Sequence, residues 1–261
     1  MTTSKSVITL TFGDCAENHK GMEMIGTTAE KGQGFSLSDL REIQKNFTSI
    51  GCKTQLHMLN IRPEHSEAGL LVIKNGVDIL LRKYMVDETK DTLAKEQLEL
   101  LWDKKAFMYG RVVNKHARWN ICYDEEGHDP EYEEGKGRVV AYDDVPILSF
   151  LRNELFTEFF GNKGKDLKCE GNYYYDITKC GIGFHGDSER RKVIAIRLGA
   201  SLPIHYQWFH NGKPVGDRMI FDLDDGDMYV MSEKTVGTDW KSKKIYTLRH
   251  ATGCDKFTTI S

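Results

Sequence analysis

Apolar and polar positions alternate over Val7-Ile8-Thr9-Leu10-Thr11-Phe12, which predicts a strand near the start of the chain. Ser36 and Ser38 then open a stretch in which Leu37, Leu40, Ile43 and Phe47 recur on one helical face. Leu70 to Lys74 and Val77 to Leu81 flank Asn75-Gly76, two residues tolerant of positive φ, and the pattern predicts a β-hairpin. A second helix is expected over Thr89 to Trp102, with Leu93, Leu98 and Leu101 set among lysines and glutamates. From Tyr109 onward the pattern changes to short β-like runs separated by glycine and charge. These are Arg138 to Tyr142, Val193 to Leu198, Met219 to Leu223, Met228 to Met231 and Lys244 to Leu248. One helix interrupts them: after Pro146, a residue suited to a first turn, Ile147, Leu148, Leu151, Leu155 and Phe159 recur at helical spacing. Many short strands argue for a sandwich or jelly roll. The fold class expected is mainly β with helices (α+β). A small α+β unit over residues 1–104, with no catalytic constellation, precedes a jelly-roll core over residues 105–261.

Composition narrows this picture. Apolar residues at 39% and charged residues at 29% of 261 positions exclude a disordered or collagen-like chain and leave enough length for a real core. With 36 Lys+Arg against 39 Asp+Glu, the net charge of −3 disfavours nucleic-acid binding driven by global charge, while leaving room for a local basic patch. Six scattered cysteines without a Cys-x-x-Cys pair read as free thiols in a reducing compartment. No apolar run approaches the ~18 residues of a membrane span, and no apolar signal core follows Met1 to Ser6. An intracellular protein of cytoplasm or nucleus, not secreted and not in a membrane, is expected.

The sharpest chemical signal is Gly183-Phe184-His185-Gly186-Asp187-Ser188-Glu189-Arg190, followed at once by the strand Val193 to Leu198. In His-x-Asp on an extended chain, residues i and i+2 point to the same face, so an imidazole and a carboxylate converge on one ion. A third ligand from elsewhere would complete a facial set of two histidines and one carboxylate, which suits Fe(II) because it leaves coordination positions open.

The wider sequence resembles the AlkB family of 2-oxoglutarate/Fe(II) dioxygenases. Gly171-Asn172-Tyr173-Tyr174 is similar to the Asn-x-Tyr that precedes that family's His-x-Asp, and His185 to Arg190 is close to the version in its DNA-repair members. Ile194 to Gly199 resembles the following strand, Asp225 to Met231 its Gly-Asp-Leu-Leu-Leu-Met strand, and Thr247-Leu248-Arg249 its closing Thr-Phe-Arg. Gly110-Arg111 to Tyr123-Asp124 looks like its substrate-recognition lid, and the Val145-Pro146 helix like the one before its core. The resemblance spans about residues 105 to 255 and implies a double-stranded β-helix with Fe(II) and 2-oxoglutarate as cofactors and O₂ as co-substrate. It implies that His185 and Asp187 bind iron and that Asn172 and Tyr174 hydrogen-bond 2-oxoglutarate. It further implies that Lys115, Arg118 and Trp119 grip nucleic acid.

The chain departs from the family at one point. The distal histidine should precede the closing strand near a Trp, yet Ser232 to Ser242 contains none, and the downstream imidazole is His250, next to Arg249. On a regular strand these two face opposite sides. Three readings stay open. His250 is the third ligand, placed by an irregular strand end, with Lys243 or Lys244 on the cofactor carboxylate. Alternatively Arg249 takes the carboxylate and iron is held by His185, Asp187 and Glu233, Asp239 or water. Or the iron site has changed. The first is favoured because no other imidazole lies downstream.

The function expected is oxidation of a C–H bond, by demethylation or hydroxylation, on a nucleic-acid base. Two alternatives stand beside it: the same chemistry on a protein side chain or small molecule, and a jelly-roll binding module that has lost its iron.

Overall fold

The computed structural model describes residues 5–61 and 67–260. Met1 to Ser4, on which part of the N-terminal reading rests, lie outside the described residues.

An eight-stranded sheet forms the backbone of the fold. In spatial order it runs β4 (Lys53–Met58), β5 (Gly69–Lys74), β15 (Met228–Met231), β12 (Val193–Gly199), β1 (Val7–Gly13), β10 (Lys168–Tyr174), β8 (Trp119–Asp124) and β9 (Val139–Ala141). All neighbours are antiparallel except β8 and β9. A four-stranded antiparallel sheet faces part of it, in the order β11 (Gly181–His185), β16 (Thr247–Gly253), β13 (Ile204–His210), β14 (Lys213–Phe221). Two ribbons, β2 (Cys15–Glu17) with β3 (Met24–Gly26) and β6 (Lys105–Met108) with β7 (Arg111–Asn114), complete the strands. Among the described residues the sheets do not close into a barrel, and the architecture is mainly β with helices, of jelly-roll type.

The two-residue period of a strand gives the large sheet two unlike faces. Ile8, Leu10 and Phe12 of β1 and Ile194, Ile196 and Leu198 of β12 enter the main core. Helix α1 (Leu37–Ser49) covers that face with Leu37, Leu40, Ile43 and Phe47. So do α4 (Pro146–Phe150), a π-helical turn over Leu151–Leu155, and α5 (Phe156–Phe160). Ser36 starts α1 with a reciprocal cap: its hydroxyl accepts from the Asp39 N–H, and the Asp39 carboxylate accepts from the Ser36 N–H. The alternate residues Thr9, Thr11, Glu170, Asn172 and Arg197 point the other way, toward the smaller sheet. Near β5 the two sheets meet in a second apolar cluster of Leu70, Val72, Tyr229, Tyr206, Trp208 and Leu248. Past that seam they diverge, and a cavity opens between them.

Three expectations are corrected here. The boundary placed between residues 104 and 105 is crossed by the sheet itself, because β1 hydrogen-bonds to both β10 and β12 and β5 to β15. No hairpin forms at Asn75-Gly76. Asn75 is left-handed at φ 50°, its N–H donates to the Asp227 carboxylate at 2.8 Å, and the chain enters α2 (Gly76–Tyr84) instead. Val77, Leu80 and Leu81 follow the i, i+3, i+4 period and are fully buried, so helical burial overrode the turn signal. The helix after Thr89, α3 (Lys90–Leu98), stops short of Trp102, and Leu98 and Leu101 are exposed. Short helices α6 (Glu233–Val236) and α7 (Asp255–Thr258) flank β16. Among the described residues no helix is long and apolar enough to cross a membrane. All six cysteines are free.

Candidate metal centre

His185, Asp187 and His250 come together at the mouth of the cavity, each offering one ligand atom, with these atoms all within 4.8 Å of one another. Nε2 of His185 and Nε2 of His250 each lie 3.4 Å from Oδ1 of Asp187. His185 ends β11 and stands opposite His250 on β16. The irregularity that brings them face to face is a register shift on β11 between Ile182 and His185, not an irregular end of β16. Since β16 pairs regularly with β13, His250 faces inward and Arg249 outward.

The turn that carries Asp187 is docked on the segment after β15. The Asp187 N–H donates to the Val236 carbonyl, Thr238 Oγ1 to the Arg190 carbonyl, and Trp240 Nε1 to Ser188 Oγ. Gly186 makes this possible, because a Cβ there would stand 2.0 Å from the Gly237 carbonyl oxygen. The stretch 232–242 thus lacks the expected histidine but buttresses the ligand turn.

Electrostatics favour the metal-binding protonation states. Burial alone would raise the Asp187 carboxyl, but the Arg190 guanidinium and the two histidines outweigh it and hold it well below the usual carboxylate range. Arg190 Nε approaches Asp187 Oδ2 at 3.5 Å, leaving Oδ1 for the imidazoles. Arg190 is itself buried and bound to Glu170 and Glu189. Burial, reinforced by His185, lowers the His250 pKa, so its ring is neutral near pH 7. Nδ1 of His185 lies 2.8 Å from the Gly183 carbonyl, which orients the ring. Nδ1 of His250 is buried without a partner.

The cavity beside these ligands has a volume of about 620 Å³. The other residues expected at the site fall into two groups. Asn172 and Tyr174 line the cavity, yet the Asn172 amide is already engaged by Arg118, Asn120 and Glu170. Arg249 and Lys243 are not among the cavity-lining residues: Arg249 lies over the Phe209 ring at 4.1 Å, and Lys243 is exposed. Glu233 is held by Gly32, Gly34 and Arg191, and Asp239 by Lys234, so neither belongs to the ligand set.

Of the three residues expected to grip nucleic acid, one is buried and two are engaged by neighbouring side chains. Lys115 is buried, with Nζ 2.6 Å from Asn18 Oδ1, and burial pushes its pKa down to about 8. Trp119 is stacked on Tyr175 at 4.5 Å and covered by Lys104. Arg118 lines the cavity but donates to Asn172.

One residue escaped the sequence reading. Arg197 lines the cavity, is 2% exposed, and has Nε and Nη1 buried with no hydrogen-bond partner. A lone cation inside the apolar run Val193 to Leu198 was the available signal.

Fold and site together define a jelly-roll-type protein with a facial cluster of two histidines and an aspartate. No protein-family model matches the chain. It is 50% identical over 263 residues to an uncharacterized protein of Acanthamoeba polyphaga mimivirus, covering 98% of this chain and 99% of that protein. The chain belongs to the family of that viral protein.

Proposed function

We propose that the chain is an Fe(II)- and 2-oxoglutarate-dependent oxygenase that oxidises a C–H bond inside a reducing cellular compartment. The observation that carries this reading is the convergence of two imidazoles and one carboxylate on one point. Nδ1 of His185 lies 2.8 Å from the Gly183 carbonyl, which turns Nε2 toward Asp187. Nε2 of His185 and Nε2 of His250 both face the same Asp187 oxygen at 3.4 Å. Two imidazoles with one carboxylate suit divalent iron while leaving positions open. When bound, iron with 2-oxoglutarate and O₂ supplies the oxidising power, with succinate and CO₂ as by-products.

The chain's own contribution is positional. Gly183 and Arg190 fix the orientation of His185 and Asp187, and the docked segment 236–240 keeps the ligand turn in place. Glu17 to Gly21, Met24, Trp240 and Lys241 line the cavity. With Lys115 and Trp119 engaged internally, a protein side chain or small molecule suits this lining better than a nucleobase held by a basic surface.

Thermal melts with Mn(II) test the metal site without turnover. At a hundredfold excess over the dissociation constant, binding stabilises the native chain by about 2.7 kcal/mol. That corresponds to a rise of roughly 5–10 °C for a chain of this length. The rise is expected to vanish in Asp187→Ala and His250→Ala. Succinate release with Fe(II) and 2-oxoglutarate, measured against modified oligonucleotides, peptides and small molecules, then identifies the substrate class. No Mn(II) shift in the wild type, together with no succinate above background, would refute the proposal and favour a binding module.

A further inference from the structure

We infer that Tyr206 is a positioning residue for His250, to which its hydroxyl is joined through one buried water. The inference rests on the metal-centre reading and gives an outer partner to the one ligand of the three that has none among the described residues.

Its basis is a pair of buried polar atoms with hydrogen-bonding capacity left over. His250 turns Nε2 toward Asp187, and its Nδ1 is buried without a partner. The other two ligands are held from behind, His185 by the Gly183 carbonyl and Asp187 by Arg190. A metal-binding imidazole needs such support, because a partner for its outer nitrogen sets the ring's angle and leaves the inner nitrogen free to bind. Tyr206 stands directly opposite His250 across the β13–β16 pairing. Both therefore face inward, while the next opposed pair, Gln207 and Arg249, faces outward. The centres of the two rings lie 5.9 Å apart. Tyr206 is fully buried, and its hydroxyl is also without a partner. Burial, with Tyr229 and Asp187 adding to it, pushes the phenol pKa well up, so the hydroxyl keeps its proton and can both donate and accept.

Two enclosed polar atoms on facing side chains, not in direct hydrogen bond with each other, are satisfied together by one water. That water accepts from the Nδ1–H of His250 when Nε2 holds a metal, and it donates to the Tyr206 oxygen. Leu70, Val72, Trp208 and Leu248 share the apolar cluster of Tyr206 and hold the phenol in one place. The hydroxyl thus fixes the angle at which the third ligand meets the ion.

The test uses Tyr206→Phe, which removes the hydroxyl and keeps the ring. Calorimetric titration of the full chain with Mn(II) should show binding weaker than in the wild type by roughly tenfold or more. The metal-free melting temperature should move by no more than about 4 °C, so that the loss of affinity is not a loss of fold. A crystal structure of the metal-free wild type should show a water within hydrogen-bond distance of both Nδ1 of His250 and the Tyr206 oxygen. Undiminished Mn(II) affinity in Tyr206→Phe, or no water joining the two atoms, would overturn the inference while leaving the metal site standing. Should Tyr206→Phe not fold, the water in the wild type decides the matter. A wild type that binds no Mn(II) refutes the metal reading instead, and the crystal structure still decides whether Tyr206 and His250 are joined.

Discussion

Lys115 gives the most direct test of the energetics. The residue is 9% exposed, and burial, only partly offset by Asp103, lowers its pKa from 10.5 to about 8. The folded state therefore binds this proton less tightly than the unfolded state does. The stabilising contribution is complete above pH 10.5 and is lost as the pH falls through 8. At pH 7 the native chain holds a charged amine at a penalty of about 3 kcal/mol, from a depression of two to three pKa units at 1.36 kcal/mol each. By pH 9.5 about 2 kcal/mol of that penalty is relieved. In Lys115→Met the penalty is absent at every pH, while the loss of the bond to Asn18 Oδ1 is the same at every pH. Guanidinium denaturation of both chains at pH 7 and pH 9.5 isolates the effect. The wild type should gain about 2 kcal/mol relative to the variant as the pH rises. A stability difference that stays flat over this range, or that moves the other way, would refute the burial argument.

Other consequences are checked more briefly. Arg190→Leu leaves the buried Glu170 carboxylate without its cation and should destabilise the chain by about 3–5 kcal/mol in denaturant melts, with partial recovery in the double variant carrying Glu170→Gln. Gly186→Ala forces its Cβ toward the Gly237 carbonyl, so the ligand turn must shift; the Mn(II)-induced rise in melting temperature should be lost while far-UV circular dichroism is unchanged. Binding of duplex oligonucleotide, measured by fluorescence anisotropy, should not weaken in Lys115→Met, because that amine is turned inward.

Much of the fold could be read along the chain because periodicity carries it. The alternation in Val7 to Phe12 becomes β1, with Thr9 and Thr11 on the cavity side, and the stripe Leu37, Leu40, Ile43, Phe47 becomes the buried face of α1. Asn75-Gly76 misled because a left-handed residue serves a helix start as readily as a hairpin turn, and the Asp227 carboxylate that decides between them lies far along the chain. The site divides the same way. His185 and Asp187 are legible as a pair on one segment, whereas the placement of His250 depends on a register shift in the neighbouring strand. Arg197 was harder to assign, since its significance lies in the partners it lacks, and only the three-dimensional arrangement reveals those.

The position of β1 has a consequence for how the molecule comes into being. It leaves the ribosome before both of its neighbours, Lys168–Tyr174 and Val193–Gly199, which lie far along the chain. Until then its two edges are open to other chains, and the floor of the cavity does not exist. β1 is thus made well before it can be seated, and a nascent chain that cannot keep it free would be expected to aggregate rather than mature.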